Sequence, residues 1–229
     1  MRQIGCGVAM QPSRILDPIT ILEGTCVDWW RADVGVTLAS GVVSVWAGRK
    51  AGLSLAQGTA GARPSPIADC TPNHRPGIRF NLAHYLQVST ALVQPCGVII
   101  VAKWTAQAGA TYLTAGGPTG GANIVNGGGA AGYYAYAGNY NIWKAITDAT
   151  WQTLEAVFDG ASSYAAVNFG AKTTANPGGN NLNGLTVGAA ANGAAAALAD
   201  VSDVILINAA MTDAQRAMLA VYCQERTGY

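Results

Sequence analysis

A chain of 229 residues fits one large all-β domain, or a smaller domain with an extension. Half of the residues are hydrophobic, only 11% are charged and the formal net charge is +1, so a sizeable core is available while the basic stripe of a nucleic-acid binder is missing. No apolar run approaches the ~20 residues that span a bilayer, and the N-terminal segment has Arg2 but no apolar stretch of a secretion signal, so no membrane partner is expected.

Residues 1–26 contain Pro12 and Pro18 and no sustained period. They read as an extension, and Ile15, Leu16, Ile19, Ile21 and Leu22 are too apolar for a solvated tail; they need a surface to cover, on this chain or on a partner. The domain is expected over 27–229. Val36 and Leu38, the turn Ser40-Gly41, then Val43 and Val45 alternate as strand, turn and strand. Residues 49–77 are rich in Ala, Gly and Pro and predict a long surface loop. A short strand follows within Arg75-Pro-Gly-Ile-Arg-Phe80, then a connection over Leu86 to Val93, and Gly97 to Trp104 reads as a core strand. Between Gly109 and Gly132 nearly every residue is small, which predicts tight turns and short strands.

Trp151 to Phe158 and Tyr164 to Phe169 form the clearest hairpin, with Leu154, Ala156 and Phe158 on one face and Asp159-Gly160 at the reversal. Asn176 to Asn183 is a polar loop before the strand Leu185 to Gly188. Val204 to Ile207 is a continuous apolar run, as in a strand covered on both faces. Thr212 and Gln215 then make a capping box, Asp213 suits the helix start, and Gly228 sits where a helix stops. Ala214, Ala217, Met218, Val221 and Tyr222 follow helical spacing, so Met218 and Tyr222 are expected to pack on a sheet. This is the one convincing helix. Together these elements predict an all-β fold, a two-sheet antiparallel β-sandwich of jelly-roll type with one C-terminal α-helix.

The five cysteines, at 6, 26, 70, 96 and 223, contain no CxxC pair, and His74 and His84 are the only histidines, so no metal site is expected. Buried free thiols are the favoured reading; the odd count leaves Cys6 as a candidate intersubunit thiol. Retaining glycosidase chemistry needs paired carboxylates, and none of Glu23, Glu155 and Glu225 has an acid two positions away. Asp200 and Asp203 lie at a strand entrance, where solvation or turn capping is expected. Gly116-Gly-Pro-Thr-Gly-Gly121 lacks the ending of a phosphate loop. No catalytic residue and no cofactor is therefore expected.

The segment Tyr133 to Trp143 holds the candidate binding residues. In an extended segment Tyr134 and Tyr136 share a face and Tyr133 points to the other. With Tyr140, Trp143, Asn139 and Asn141 they offer rings to stack on sugars and amides to meet hydroxyls; the same rings also suit a core or an oligomer interface.

The order of the pieces resembles the concanavalin A-like lectin/glucanase superfamily in its laminin-G-like jelly-roll branch. Trp29-Trp-Arg-Ala-Asp33 with Gly35-Val-Thr-Leu38 and Ser40 to Trp46 is similar to that family's first strand pair. Arg75 to Phe80 is similar to its next marker, Trp151 to Gly160 with Val167-Asn168 to its central hairpin, and the closing strand and helix to the segment that joins the chain ends. Domains of this pattern occur in bacteriophage virion proteins and in bacterial surface and secreted proteins. The resemblance thus implies a non-enzymatic virion structural protein, a capsid decoration or fibre component at the particle surface, oligomeric and attached to other virion proteins through its arm and its low-charge surface. The alternative is a lectin-like, carbohydrate-binding module of the cell surface or extracellular space with a cell-surface polysaccharide as partner, and the third reading is a polysaccharide hydrolase.

Overall fold

The computed structural model describes residues 16–105, 109–116, 121–126 and 130–228. After a one-turn helix α1 (Pro18–Leu22) come β1 (Cys26–Arg31), β2 (Val36–Ala39), β3 (Val42–Ala47), β4 (Ser54–Ala56), β5 (Ser65–Ile67) and β6 (Gly77–Asn81). The middle of the chain gives β7 (Leu86–Val88), β8 (Cys96–Thr105), β9 (Thr111–Ala115), β10 (Asn123–Asn126), β11 (Gly132–Tyr136) and β12 (Ile142–Ala145). The last third gives β13 (Trp151–Phe158), β14 (Tyr164–Val167), β15 (Thr173–Thr174), β16 (Leu185–Val187), β17 (Leu198–Ile207) and the helix α2 (Asp213–Thr227).

These strands form two antiparallel sheets packed as a sandwich. One has eight strands in the order β15-β14-β13-β8-β17-β6-β5, with β1 also paired to β17; the other has nine, β12-β11-β10-β9-β16-β7-β4-β3-β2. A bulge between Val201 and Asp203 lets β17 pair with β6 along its first half and with β1 along its second. The expected fold class is the observed one. The segment 49–77, expected as a loop, contributes β4 and β5, strands of three residues each that are too short to show a period. A second helix, α1, precedes the expected one.

Strand periodicity builds two cores on opposite faces of the eight-stranded sheet. Val98, Ile100, Trp104, Leu154, Phe158, Val204 and Leu206 point between the sheets. Ile99, Val101, Val157, Ile205 and Ile207 point outward, beneath α1 and α2. Each such side chain contributes about 1.5–3 kcal/mol when fully buried, which is why β17 carries an unbroken apolar run. Ile21 and Leu22 join this second core, so the apolar residues of the extension that lie deepest cover their own domain. Ile19 is half-buried beside them and Leu16 is exposed. Ile15 and Cys6 lie outside the described residues.

Helix α2 begins at the expected capping box: the Thr212 hydroxyl accepts from the Gln215 amide while Gln215 Oε1 accepts from Thr212 N–H. Gly228 ends it in the left-handed region at φ 73°. Of the two residues expected on the sheet, Tyr222 packs there and Met218 does not. Arg216, Leu219, Tyr222, Cys223 and Arg226 face the sheet, whereas Met218 and Val221 are 40% and 52% exposed. The reason is electrostatic. Arg216 clasps the fully buried Glu155 through Nε–Oε2 at 2.9 Å and Nη2–Oε1 at 3.1 Å. Burial pushes the Glu155 carboxyl up, and Arg216 opposes that shift.

Asp203, equally buried, accepts from Trp29 Nε1 (3.1 Å), the Tyr222 hydroxyl (2.8 Å), Arg226 Nε (3.4 Å) and the Ser202 hydroxyl. Asp200 sits between Arg79 and Lys103, 2.7 and 3.0 Å away, which hold its carboxyl below the usual range against the effect of burial. The solvated or turn-capping roles expected of both aspartates are thereby corrected: they lie inside β17 and need buried partners. Cys26, Cys70, Cys96 and Cys223 are free, and burial pushes the first three thiols to about 12, 11 and 11, leaving them protonated. No helix among the described residues is long and apolar enough to cross a membrane.

Candidate functional site

The nine-stranded sheet turns one face to the inter-sheet core; on the other, which no helix covers among the described residues, Tyr140, Trp143, Gln87 and Ser89 are exposed while Val125 and Thr186 are buried. In β11 the alternation falls as expected. Tyr133 is fully buried, its hydroxyl donating to the carbonyls of Glu155 and Ala166 at 2.6 and 2.8 Å. Tyr134 and Tyr136 take the opposite, outer face. Register then assembles a row across four strands: Trp143 on β12 lies opposite Tyr134, Tyr134 opposite Val125 on β10, and Val125 opposite Tyr112 on β9.

Tyr140, from the turn between β11 and β12, folds back over this row. Its ring meets Tyr134 edge-on at 5.1 Å and tilts against Tyr136 at 4.5 Å. Partial burial, followed by the neighbouring Tyr112 and Tyr136, pushes its phenol up, so Tyr140 meets a ligand as a neutral ring at neutral pH. Trp143 lies across Gly132, where a Cβ would stand 2.6 Å from the indole. The glycine is needed because any side chain there lifts the ring off the sheet. Tyr140 and Trp143 remain 52% and 41% exposed, which is what a stacking surface requires.

Asn139 and Asn141 are exposed in the same turn. Asn141 Nδ2 donates to the carbonyl of Asn176 at 2.9 Å, and Asn139 N–H to that of Pro177 at 2.7 Å, which ties the turn to the 176–181 loop. The structure therefore brings Tyr134, Tyr136, Tyr140 and Trp143 together, with both asparagines at the rim. It adds Tyr112, whose place depends on β9 pairing with β10 across a register shift.

The nine strands contain no Asp or Glu, and their single charged residue, Lys144, reaches away to the carbonyl of Ala171 at 2.7 Å. Among the described residues no group of three His, Cys, Asp or Glu side chains is placed to hold a metal ion. On the same outer face, over β4, β7 and β16, lies an open groove of about 530 Å³.

No protein-family model matches the chain, and no curated protein matches it in sequence. Solved structures do. A GH54 α-L-arabinofuranosidase soaked with a cyclic sulfate inhibitor superposes with a TM-score of 0.66 at 12% identity, over 93% of this chain and 66% of that one. Trypanosoma rangeli sialidase in complex with sialic acid gives 0.59 at 10% identity, over 90% of this chain and 34% of the sialidase. The binding domain of Paraclostridial Mosquitocidal Protein 1 gives 0.60 at 10% identity, over 86% and 52%.

The chain thus spans about a third of the sialidase and two thirds of the arabinofuranosidase. These likenesses establish the fold alone, a β-sandwich of jelly-roll type. They also correct two expectations. Sialidases and an arabinofuranosidase, carbohydrate-active proteins, stand among the neighbours in place of the expected virion structural protein, and the assignment of no enzymatic activity falls with it. The expectation failed because it was carried by the order of short apolar motifs, which follows the sandwich and not the ligand.

Proposed function

We propose that this chain is a carbohydrate-recognition domain that takes sugar rings against the Tyr134–Tyr136–Tyr140–Trp143 platform. The observation that carries this is the open, uncharged aromatic surface on the outer face of the nine-stranded sheet. The C–H faces of a pyranose or furanose ring stack on exposed aromatic rings, while Asn139 and Asn141 at the rim supply amide donors and acceptors for hydroxyls. Carbohydrate-active neighbours of the same fold support the ligand class. A glycan of the cell surface or extracellular space is the partner this reading implies, and membership of the laminin-G-like branch belongs to the same proposal.

A glycan microarray probed with the native chain, Tyr140→Ala and Trp143→Ala tests it. Binding by the native chain that drops about tenfold or more in both variants is expected. Binding that survives both substitutions places the ligand elsewhere, and an array with no positive glycan removes the reading. A reducing-sugar assay on the bound polysaccharides, run alongside, tells recognition alone from recognition with hydrolysis.

A further inference from the structure

The groove over β4, β7 and β16 is built from the same face as the platform. Register sets Ala56 opposite Gln87, Gln87 opposite Thr186, and Thr186 opposite Ala115 of β9. Ala56, Gly58 and Gly184 keep the floor low, so a flat ring can approach the backbone. Gln87, Ser89 and Asn183 line it with exposed side chains that hydrogen-bond to none of the described residues. Free amides and a hydroxyl beside a bare floor match the hydroxyl groups of a sugar as both donors and acceptors.

We propose that platform and groove are two subsites for one ligand, a linear, uncharged polysaccharide bound along its length. This rests on the platform reading and extends it to the ligand's charge and size. Charge follows from the lining. Among the described residues no ionisable side chain lines the groove and only tyrosine does so on the platform; Arg63 stands outside the lining, its guanidinium turned onto the carbonyls of Gln57 and Gly58 at 2.8 and 2.9 Å. A carboxylate or sulfate laid there loses hydration and meets no cation in the lining to pair with.

Size follows from the topology. Thr186 on β16 and Tyr136 on β11 are separated by β9 and β10, three strand spacings or about 14 Å. One sugar ring cannot touch both, whereas a chain crossing the strands can. Linking two weak contacts through one ligand raises the affinity without any new contact.

Calorimetric titration of the full chain with cello-, malto-, xylo- and arabino-oligosaccharides from two to six units tests this, with oligogalacturonides of equal length as the anionic arm. For a neutral series that binds, affinity rises about tenfold or more from the dimer to the hexamer, and oligogalacturonides give no heat. Ser89→Trp, at an exposed position on the groove, removes the gain with length and keeps dimer binding; Tyr140→Ala removes both. Equal affinity for dimer and hexamer, an inert Ser89→Trp, or oligogalacturonide binding as strong as neutral binding overturns the two-subsite track and leaves the platform standing. Absence of binding by every neutral series overturns the platform itself.

Discussion

The eight strands of one sheet carry Asp28, Arg31, Arg79, Lys103, Glu155, Asp200 and Asp203, whereas the nine strands of the other carry Lys144 alone. On the first sheet charge is structural. Glu155 and Asp203 anchor α2 through Arg216, Arg226 and Tyr222, and Asp28 binds the 48–53 turn through the amides of Lys50 and Leu53, each at 2.8 Å. On the second sheet the outer face has rings, amides, hydroxyls and bare backbone, and no helix covers it among the described residues. A sandwich that concentrates its ionic anchors on one side leaves the other side free to meet a neutral, hydroxyl-rich ligand.

The largest effect expected from breaking the first sheet's anchors is Arg216→Met. It leaves Glu155 buried without its partner and costs about 3–5 kcal/mol in urea unfolding. Pairing it with Glu155→Leu recovers most of that loss, because an apolar pair of similar volume replaces a buried ion pair at little cost. A single variant as stable as the native chain shows that the helix is held by its apolar contacts alone.

Next comes Gly48→Ala. The new Cβ would lie 2.1 Å from the Asp28 carboxylate, which cannot retreat while it accepts from three backbone amides. A loss of about 1–3 kcal/mol is expected by thermal unfolding.

A smaller effect is expected from acid. Arg226 and Arg31 hold the Asp33 carboxyl, and Arg79 and Lys103 the Asp200 carboxyl, below the ordinary value of 3.8. Folded pKa values depressed in this way contribute stability that is complete above 3.8 and lost as pH falls through the folded values. Glu155, shifted above its ordinary 4.5 by burial, works in the opposite sense, adding stability as pH falls toward 4.5 and leaving the slope below 3.8 to the aspartates. Denaturation midpoints measured from pH 5 downward should therefore fall most steeply below 3.8, and less steeply in Asp200→Asn. An unchanged slope in that variant removes Asp200 from the account.

The smallest effect is on the open face, where Tyr140→Ala and Trp143→Ala should shift stability by no more than about 0.5 kcal/mol. A larger loss would make the platform part of the fold and not a surface for a ligand.

These contrasts also explain what the sequence disclosed. Short-range periodicity was legible. The two faces of Val204 to Ile207, the capping box at Thr212 and Gln215, and the opposite directions of Tyr133 and Tyr134 follow from the strand and helix repeats. The buried face of α2 was legible only at Tyr222, because Arg216 and Arg226 read as solvent-facing until their partners Glu155 and Asp203 are in place. Tyr112 and the groove residues Gln87, Asn183 and Thr186 escaped for a related reason. Their adjacency is made by strand order, with β16 inserted between β9 and β7, and no local pattern encodes it.

The central claim, that the uncharged sheet face binds sugar while the charged sheet holds the fold, is tested most directly by native gel electrophoresis through neutral polysaccharides, arabinan and xylan among them. The native chain and Arg79→Ala, altered on the eight-stranded sheet, should be retarded alike, and the Tyr140→Ala/Trp143→Ala double variant should run as it does in a plain gel. Retardation that persists in the double variant, or that disappears in Arg79→Ala, would contradict the account.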